Sequence, residues 1–173
     1  MTAVTDKNSA YKEQLAGKYL SFFLSREEYG IAILRVREII GVVTITPLPR
    51  TPDYVTGVIN LRGKIIPVID LRAKFGMPKI EAKAESCIVV VDLQREGDGQ
   101  VTQTGCIVDT VSEVLSVEAA QVDLAPRCAR VRADYLLGLG KLPEKVLILL
   151  DIDRILADEA AELEGRALAE VVG

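Results

Sequence analysis

The sequence predicts a mainly β protein assembled from two similar half-size units, and two observations carry that prediction. The first is an internal repeat: Tyr54 to Leu71 lies without a gap on Tyr135 to Ile152 at an offset of 81, and Gly30 to Val42 lies on Gly105 to Val117 at an offset of 75. Tyr54, Gly57, Leu61, Lys64 and Asp70 meet Tyr135, Gly138, Leu142, Lys145 and Asp151, while Gly30, Val36, Glu38 and Val42 meet Gly105, Val111, Glu113 and Val117. Two matches in the same order with nearby offsets mark a duplication. The second observation is a series of short, β-branched runs separated by polar or glycine-containing tips, the pattern of antiparallel hairpins.

Residues 1–17 are polar, with at most a short helix around Tyr11 to Leu15. Tyr19 to Leu24 and Tyr29 to Leu34 flank the polar Ser25 to Glu28 and predict a first hairpin. Val36 to Val43 predicts a strand with Val36 and Glu38 on one face and Arg35 and Arg37 on the other. Pro47, Pro49 and Pro52 then stiffen a loop, with Thr51 expected as an N-cap and Pro52 at the first position of a helical turn.

The central hairpin comprises Val58 to Leu61 and Ile65 to Leu71 around Arg62, Gly63 and Lys64. Gly63 accepts positive φ without a Cβ clash, so Arg62 is held out at the tip. Ala73 to Ser86 is a polar link broken at Gly76-Met77-Pro78, and it is the expected boundary between copies. Cys87 to Leu93 opens the second copy, Gly97-Asp98-Gly99 turns the chain, and Val101 to Asp109 returns. Val111 to Val122 repeats the path of Val36 to Ile45, and a long connection precedes the second central hairpin. Ile152, Leu156, Ala160, Leu163, Ala167 and Val171 fall at helical spacing opposite Asp158, Glu159 and Glu162, which predicts a C-terminal amphipathic helix. The expected division is a tail over 1–17, one unit over 18–85, a second over 86–152 and the helix over 153–173.

At 173 residues, with 49% hydrophobic and 27% charged residues, the composition is that of a folded soluble protein. A net charge of −4, with 5% aromatics and no Trp, argues against a nucleic-acid footprint or a base-stacking platform. The start of the chain lacks a secretory signal pattern and no apolar run approaches membrane-spanning length, so a cytoplasmic protein without direct membrane insertion is expected. Cys87, Cys106 and Cys128 are odd in number and far apart, which points to reduced thiols.

Histidine is absent. This removes the commonest general base, the Ser-His and Cys-His dyads and ordinary zinc sites together. No phosphate-cradling glycine motif occurs either, so neither an enzyme nor a cofactor is expected. Asp70 and Asp151 occupy equivalent strand ends, where an Asp ordinarily caps a backbone donor. Asp151, Asp153 and Asp158 suit the start of the last helix better than a metal loop. Arg62 and Glu38 are different, because Arg62 sits at a glycine-supported tip and its counterpart in the second copy is Pro143. A residue kept only for architecture is expected in both copies, so the pair is the leading candidate for a functional contact. Val36, Ile39 and Val58 are weaker candidates as exposed apolar contacts, since β-branched residues in strands are more often core.

G-V-I-N-L-R-G-K-I-I-P-V-I-D-L-R at 57–72, Y-G-I-A-I-L-R-V-R-E-I-I at 29–40, G-C-I-V-D-T-V-S-E-V-L at 105–115 and Y-L-L-G-L-G-K-L-P-E-K-V-L-I-L-L-D-I at 135–152 resemble the CheW family of bacterial chemotaxis coupling proteins. The resemblance runs from about Lys18 to Leu156. It implies two five-stranded SH3-like β-barrel subdomains that share a third apolar layer. It also implies a non-enzymatic adaptor, recruited to membrane-associated receptor arrays, that joins chemoreceptor cytoplasmic tips to the regulatory domain of the histidine kinase CheA. The family motif falls on Asn60, Leu61, Arg62 and Gly63, with Glu38 holding the Arg, and Val36 and Gly57 match further binding positions. Leu48, Pro49 and Arg50 lie where the first barrel would face the kinase. A coupling protein of a related motility or second-messenger pathway is the nearer alternative, and a small barrel binding nucleic acid or nucleotide the more distant one.

Overall fold

The computed structural model describes residues 3–78, 83–94, 101–124 and 135–156. Helix α1 spans Ala3–Leu15 and leads into β1 (Gly17–Leu24) and β2 (Glu27–Ala32). A 3-10 turn over Ile33–Arg35 takes the place of the expected end of β2, and β3 follows at Val36–Gly41. The central hairpin is β4 (Val55–Leu61) and β5 (Lys64–Asp70), followed by the single helical turn α2 (Leu71–Lys74). The second copy supplies β6 (Cys87–Gln94), β7 (Val101–Val108), β8 (Thr110–Val117), the two-residue β9 (Val122–Asp123), β10 (Leu136–Lys141) and β11 (Val146–Leu150). The expected tip at Gly97 to Gly99, the connection over 125–134, Cys128 and the helix beyond 156 lie outside the described residues.

The strands form two sheets, one of five in the order β3-β6-β7-β5-β4 and one of six in the order β8-β1-β2-β11-β10-β9. Neither sheet follows the sequence boundary expected near residue 85. The five-stranded sheet takes its β6-β7 hairpin from the second copy, and the six-stranded sheet takes its β1-β2 hairpin from the first. The units over 18–85 and 86–152 are thus sequence repeats that exchange their leading hairpins, not separately closed barrels. The exchange is made by one parallel pairing in each sheet, β5 with β7 and β11 with β2. Val68 lies opposite Gly105 and Leu149 opposite Gly30, so the offsets of 81 and 75 extend to the register itself. A Cβ at either glycine would crowd a packed side chain, at 2.9 Å from Leu147 for Gly30 and 2.7 Å from Ile88 for Gly105.

Each sheet also closes on itself. Thr46, beyond β3, exchanges backbone hydrogen bonds of 2.9 and 2.8 Å with Val58 of β4. In the other sheet Asp123 faces Leu139, which is Val58 shifted by 81. The glycine before each of these positions permits the approach. Gly57 has φ +148° and a Cβ there would lie 2.1 Å from the Thr46 carbonyl oxygen; at Gly138 it would lie 2.8 Å from that of Asp123.

Three apolar layers result. Ile59, Ile66, Val68, Ile88 and Val90 fill the five-stranded sheet, and Leu15, Tyr19, Val117, Val122, Leu147 and Leu149 fill the six-stranded one. Between the sheets lies the largest layer, including Phe22, Tyr29, Ile69, Val89, Val91, Cys106, Leu150 and Ile155. Alternate residues of β6 and β11 therefore face two different cores, which explains their unbroken apolar runs.

One local expectation changes and another holds. Thr51 donates its hydroxyl to the Leu48 carbonyl at 3.1 Å, stabilising the proline loop, and no helix follows it. Asp70 and Asp151 do cap: they accept the backbone N–H of Arg72 at 3.0 Å and of Arg154 at 3.1 Å. Both also donate their own N–H, to the carbonyls of Tyr54 and Tyr135. Asp153, next along, forms an ion pair with Arg35, whose guanidinium also donates to the Asp92 carbonyl at 2.8 and 3.2 Å.

Gly57→Ala is expected to destabilise the fold by about 3 kcal/mol through backbone strain and the Thr46 clash. Gly41→Ala, with nothing within 4 Å of its Cβ, is expected to melt like the parent in thermal denaturation. Burial pushes the Cys106 thiol up to about 12. Native alkylation at pH 8 followed by peptide mass mapping is expected to leave Cys106 unlabelled until denaturant is added.

Candidate functional site

The β4-β5 tip is a two-residue turn, tighter than the three-residue connection read from the sequence. Both central residues have positive φ, 53° at Arg62 and 85° at Gly63, the requirement of a type I′ turn that matches strand twist. Asn60 braces it by accepting the Gly63 N–H on Oδ1 at 2.8 Å. A non-glycine residue in the left-handed region is uncommon, and here it fixes where the guanidinium starts.

From that tip Arg62 reaches across to β3. Its Nη1 and Nη2 donate to Oε1 and Oε2 of Glu38 at 2.7 and 2.8 Å, a bidentate pair. Strands β3 and β4 are the two edges of the five-stranded sheet. The pair is thus a clasp across the same seam that the Thr46–Val58 bridge closes further along. The Arg62 side chain is 73% exposed and that of Glu38 is 24% exposed. The hydrogen bonds from Arg62 hold the Glu38 carboxyl below its ordinary range, and Glu38 raises the guanidinium in turn. An open recess of about 480 Å³ at this seam is lined by Arg37, Glu38, Leu61, Arg62, Gly63, Lys64 and Gln103.

The other expected residues separate into groups. Leu61 is half-buried against the inner layer of the five-stranded sheet and Val36 packs on the central layer. Ile39 is exposed, and the exposed Val42 and Val43 continue from it along the exit of β3. Val58 is buried, so it is not an exposed contact; its backbone carries the Thr46 bridge. Leu48, Pro49 and Arg50 are not among the residues lining the recess. Arg50 stands at φ 58° on the exposed proline loop.

The second copy holds a cluster that the sequence reading missed. Lys145 lies 3.1 Å from Glu28 and 3.5 Å from Glu113, and Glu28 is buried. Glu113 is the repeat partner of Glu38, Lys145 of Lys64 and Glu28 of Gln103. The second copy therefore places its charge differently: in place of an arginine projecting across the edges, a lysine just before the interior strand β11 is drawn onto Glu28 of the neighbouring β2 and reaches Glu113 on the edge strand β8. The hydrogen bond to Glu28 raises the Lys145 pKa. The signal was present, since Glu113 and Lys145 are identical to their repeat partners, but only the exchanged hairpin brings Glu28 to them.

A sequence profile of the CheW-like domain matches residues 18–160. The chain belongs to the CheW family. Chemotaxis protein CheW of Klebsiella aerogenes is 43% identical over 152 residues, covering 87% of this chain and 88% of that protein. Chemotaxis protein CheW of Thermotoga maritima is 34% identical, with 80% and 87% covered. The crystal structure of the scaffolding protein TtCheW from Thermoanaerobacter tengcongensis superposes with a TM-score of 0.73 at 34% identity, covering 84% of this chain and 95% of that one. The chain is accordingly a non-enzymatic scaffold of chemotaxis signal transduction with the CheW fold. No helix among the described residues is long and apolar enough to cross a membrane.

Because the Glu38 carboxyl is held low in the folded state, its contribution is fully present above the ordinary carboxylate range and is lost as pH falls through the depressed one. Acid titration of Arg62→Ala against the parent is expected to show stability curves that converge at low pH. Lys145→Met leaves Glu28 buried without its counter-charge and is expected to cost about 2 kcal/mol in urea unfolding.

Proposed function

We propose that this CheW family member joins the cytoplasmic tips of chemoreceptors to the regulatory domain of the histidine kinase CheA, and that the Arg62–Glu38 clasp is a working contact of that coupling. The observation that carries the reading is the bidentate pair itself, presented at a braced turn on an open seam in one copy only. The other sheet closes by its Asp123–Leu139 pairing with Pro143 at the equivalent tip and no guanidinium there, which supports a role for Arg62 beyond closure. A projecting guanidinium in addition offers an outward, planar and fixed donor set to a partner carboxylate or helix rim.

The coupling requires geometry rather than chemistry. An amphipathic receptor helix lays its apolar face in a groove, and the charged rim sets its orientation. Receptor and kinase held at a fixed angle allow a small receptor displacement to bias the kinase between two states. The remaining motif residues act through the same tip: Asn60 and Gly63 shape it and Leu61 anchors it. Val36, Ile39 and Gly57 lie on or beside the two strands that meet at the seam, and Leu48, Pro49 and Arg50 extend the surface facing the kinase. In the cell this places the scaffold in the cytoplasm, gathered at membrane-associated receptor arrays.

Calorimetric titration of the purified chain against a CheA regulatory domain and a receptor tip fragment tests the reading. Both are expected to bind, with Arg62→Ala folded by near-ultraviolet circular dichroism yet at least tenfold weaker, about 1.4 kcal/mol, toward one of them. Parent affinity retained by Arg62→Ala for both partners would remove the clasp from the interface. Binding of the parent to neither would remove the coupling role.

A further inference from the structure

A second recess, away from the seam, lies where the β1-β2 tip, the β7-β8 corner and the link before β6 meet. It has a volume of about 430 Å³, and the side chains of Arg26, Arg72, Lys83, Ser86 and Asp109 are among its walls. Arg72 is 9% exposed. Its Nη1 donates to Asp109 Oδ2 at 2.7 Å and its Nε to the Pro78 carbonyl at 3.2 Å, so the guanidinium is oriented in advance. Asp109 is itself committed, since the same Oδ2 accepts the Ser25 N–H at 2.7 Å. Nη2 of Arg72 makes no hydrogen bond to a described residue, and neither the Arg26 nor the Lys83 side chain pairs with one.

Among the described residues, three cations thus face one concavity to which two carboxylates, Asp109 and Glu85, contribute, in a chain whose net charge is −4. Hydroxyl donors stand beside them: Ser25, Ser86 and Thr110 all line the recess, and Ser86 is buried with its Oγ fixed by the Lys83 N–H at 2.9 Å. A structural tie between α2 and the β7-β8 corner needs only Arg72 and Asp109. It does not account for Arg26 and Lys83 left unpaired over the same opening. We propose that this recess binds an oxyanion, with Arg72 as the pre-oriented donor and Arg26 and Lys83 supplying the excess positive charge. The oxyanion is either a phosphate group or a carboxylate, and the volume leaves room for the chain that carries it.

Nuclear magnetic resonance titration of the ¹⁵N-labelled full chain with potassium phosphate, at ionic strength held constant with chloride, tests this directly. Saturable shifts are expected at the amides of Ser25, Arg26, Lys83, Ser86 and Thr110. The double variant Arg26→Gln with Lys83→Gln alters exposed side chains and is expected to melt like the parent while losing at least tenfold in affinity. A parallel titration with sodium acetate separates the sources: saturation by phosphate alone assigns a phosphorylated group, and saturation by acetate assigns a carboxylate. Shifts that rise linearly with both anions, or that are unchanged in the double variant, would overturn the site.

Discussion

Burial of both faces of the inner strands is the constraint on which the rest of this structure depends. β6 turns Ile88 and Val90 into one core and Val89 and Val91 into another, and β11 does the same with Leu147 and Leu149 against Ile148 and Leu150. A strand with two apolar faces needs a sheet curled around one and a second body pressed on the other. Closure of each sheet satisfies the first requirement, and packing of one sheet on the other satisfies the second. The aromatic series Phe22, Tyr29, Phe75 and Tyr135, with ring centroids 5.8 to 6.0 Å apart, runs through the layer they share.

Duplication solved the architecture twice, and divergence then separated the copies at their seams. On one sheet the tip projects a guanidinium that remains mostly in water. On the other the cation is drawn back onto a buried carboxylate, and a proline stands where the arginine would be. Both sheets close by equivalent backbone pairings, Thr46 with Val58 and Asp123 with Leu139, so the difference concerns what is shown outward rather than whether the sheet closes. Exposed charge pairs contribute little to stability as a class, which leaves the arginine free to be shaped by what it meets.

Much of this was legible in the residues. The repeat offsets located the equivalents of β3 and of the central hairpin, and the glycines they matched turned out to be positions where a Cβ would crowd backbone or a packed side chain. Arg62 at a glycine-supported tip was also readable, because turn chemistry is local. The hairpin exchange was not, since a repeat states which segments are alike and leaves open which copy each one pairs with. Burial of Val58 agrees with the preference of β-branched strand residues for the core, whereas Ile39, of the same type, stands exposed, so residue type alone does not separate the two. Burial of Glu28 likewise follows from β2 lying beside β11, a pairing between residues more than a hundred positions apart.

The exchanged hairpins have one further consequence. A chain cut near residue 85 would yield two fragments, each missing the pair of strands at the middle of its own sheet, and each carrying a spare pair suited to the other. The arrangement is that of a domain-swapped dimer written into a single polypeptide. Two covalent crossovers now run between the lobes where an independent pair of barrels would have one, so hinge motion is opposed at two points. For a protein whose job is to hold other molecules at a set angle, that stiffness is inherited from topology before any interface forms.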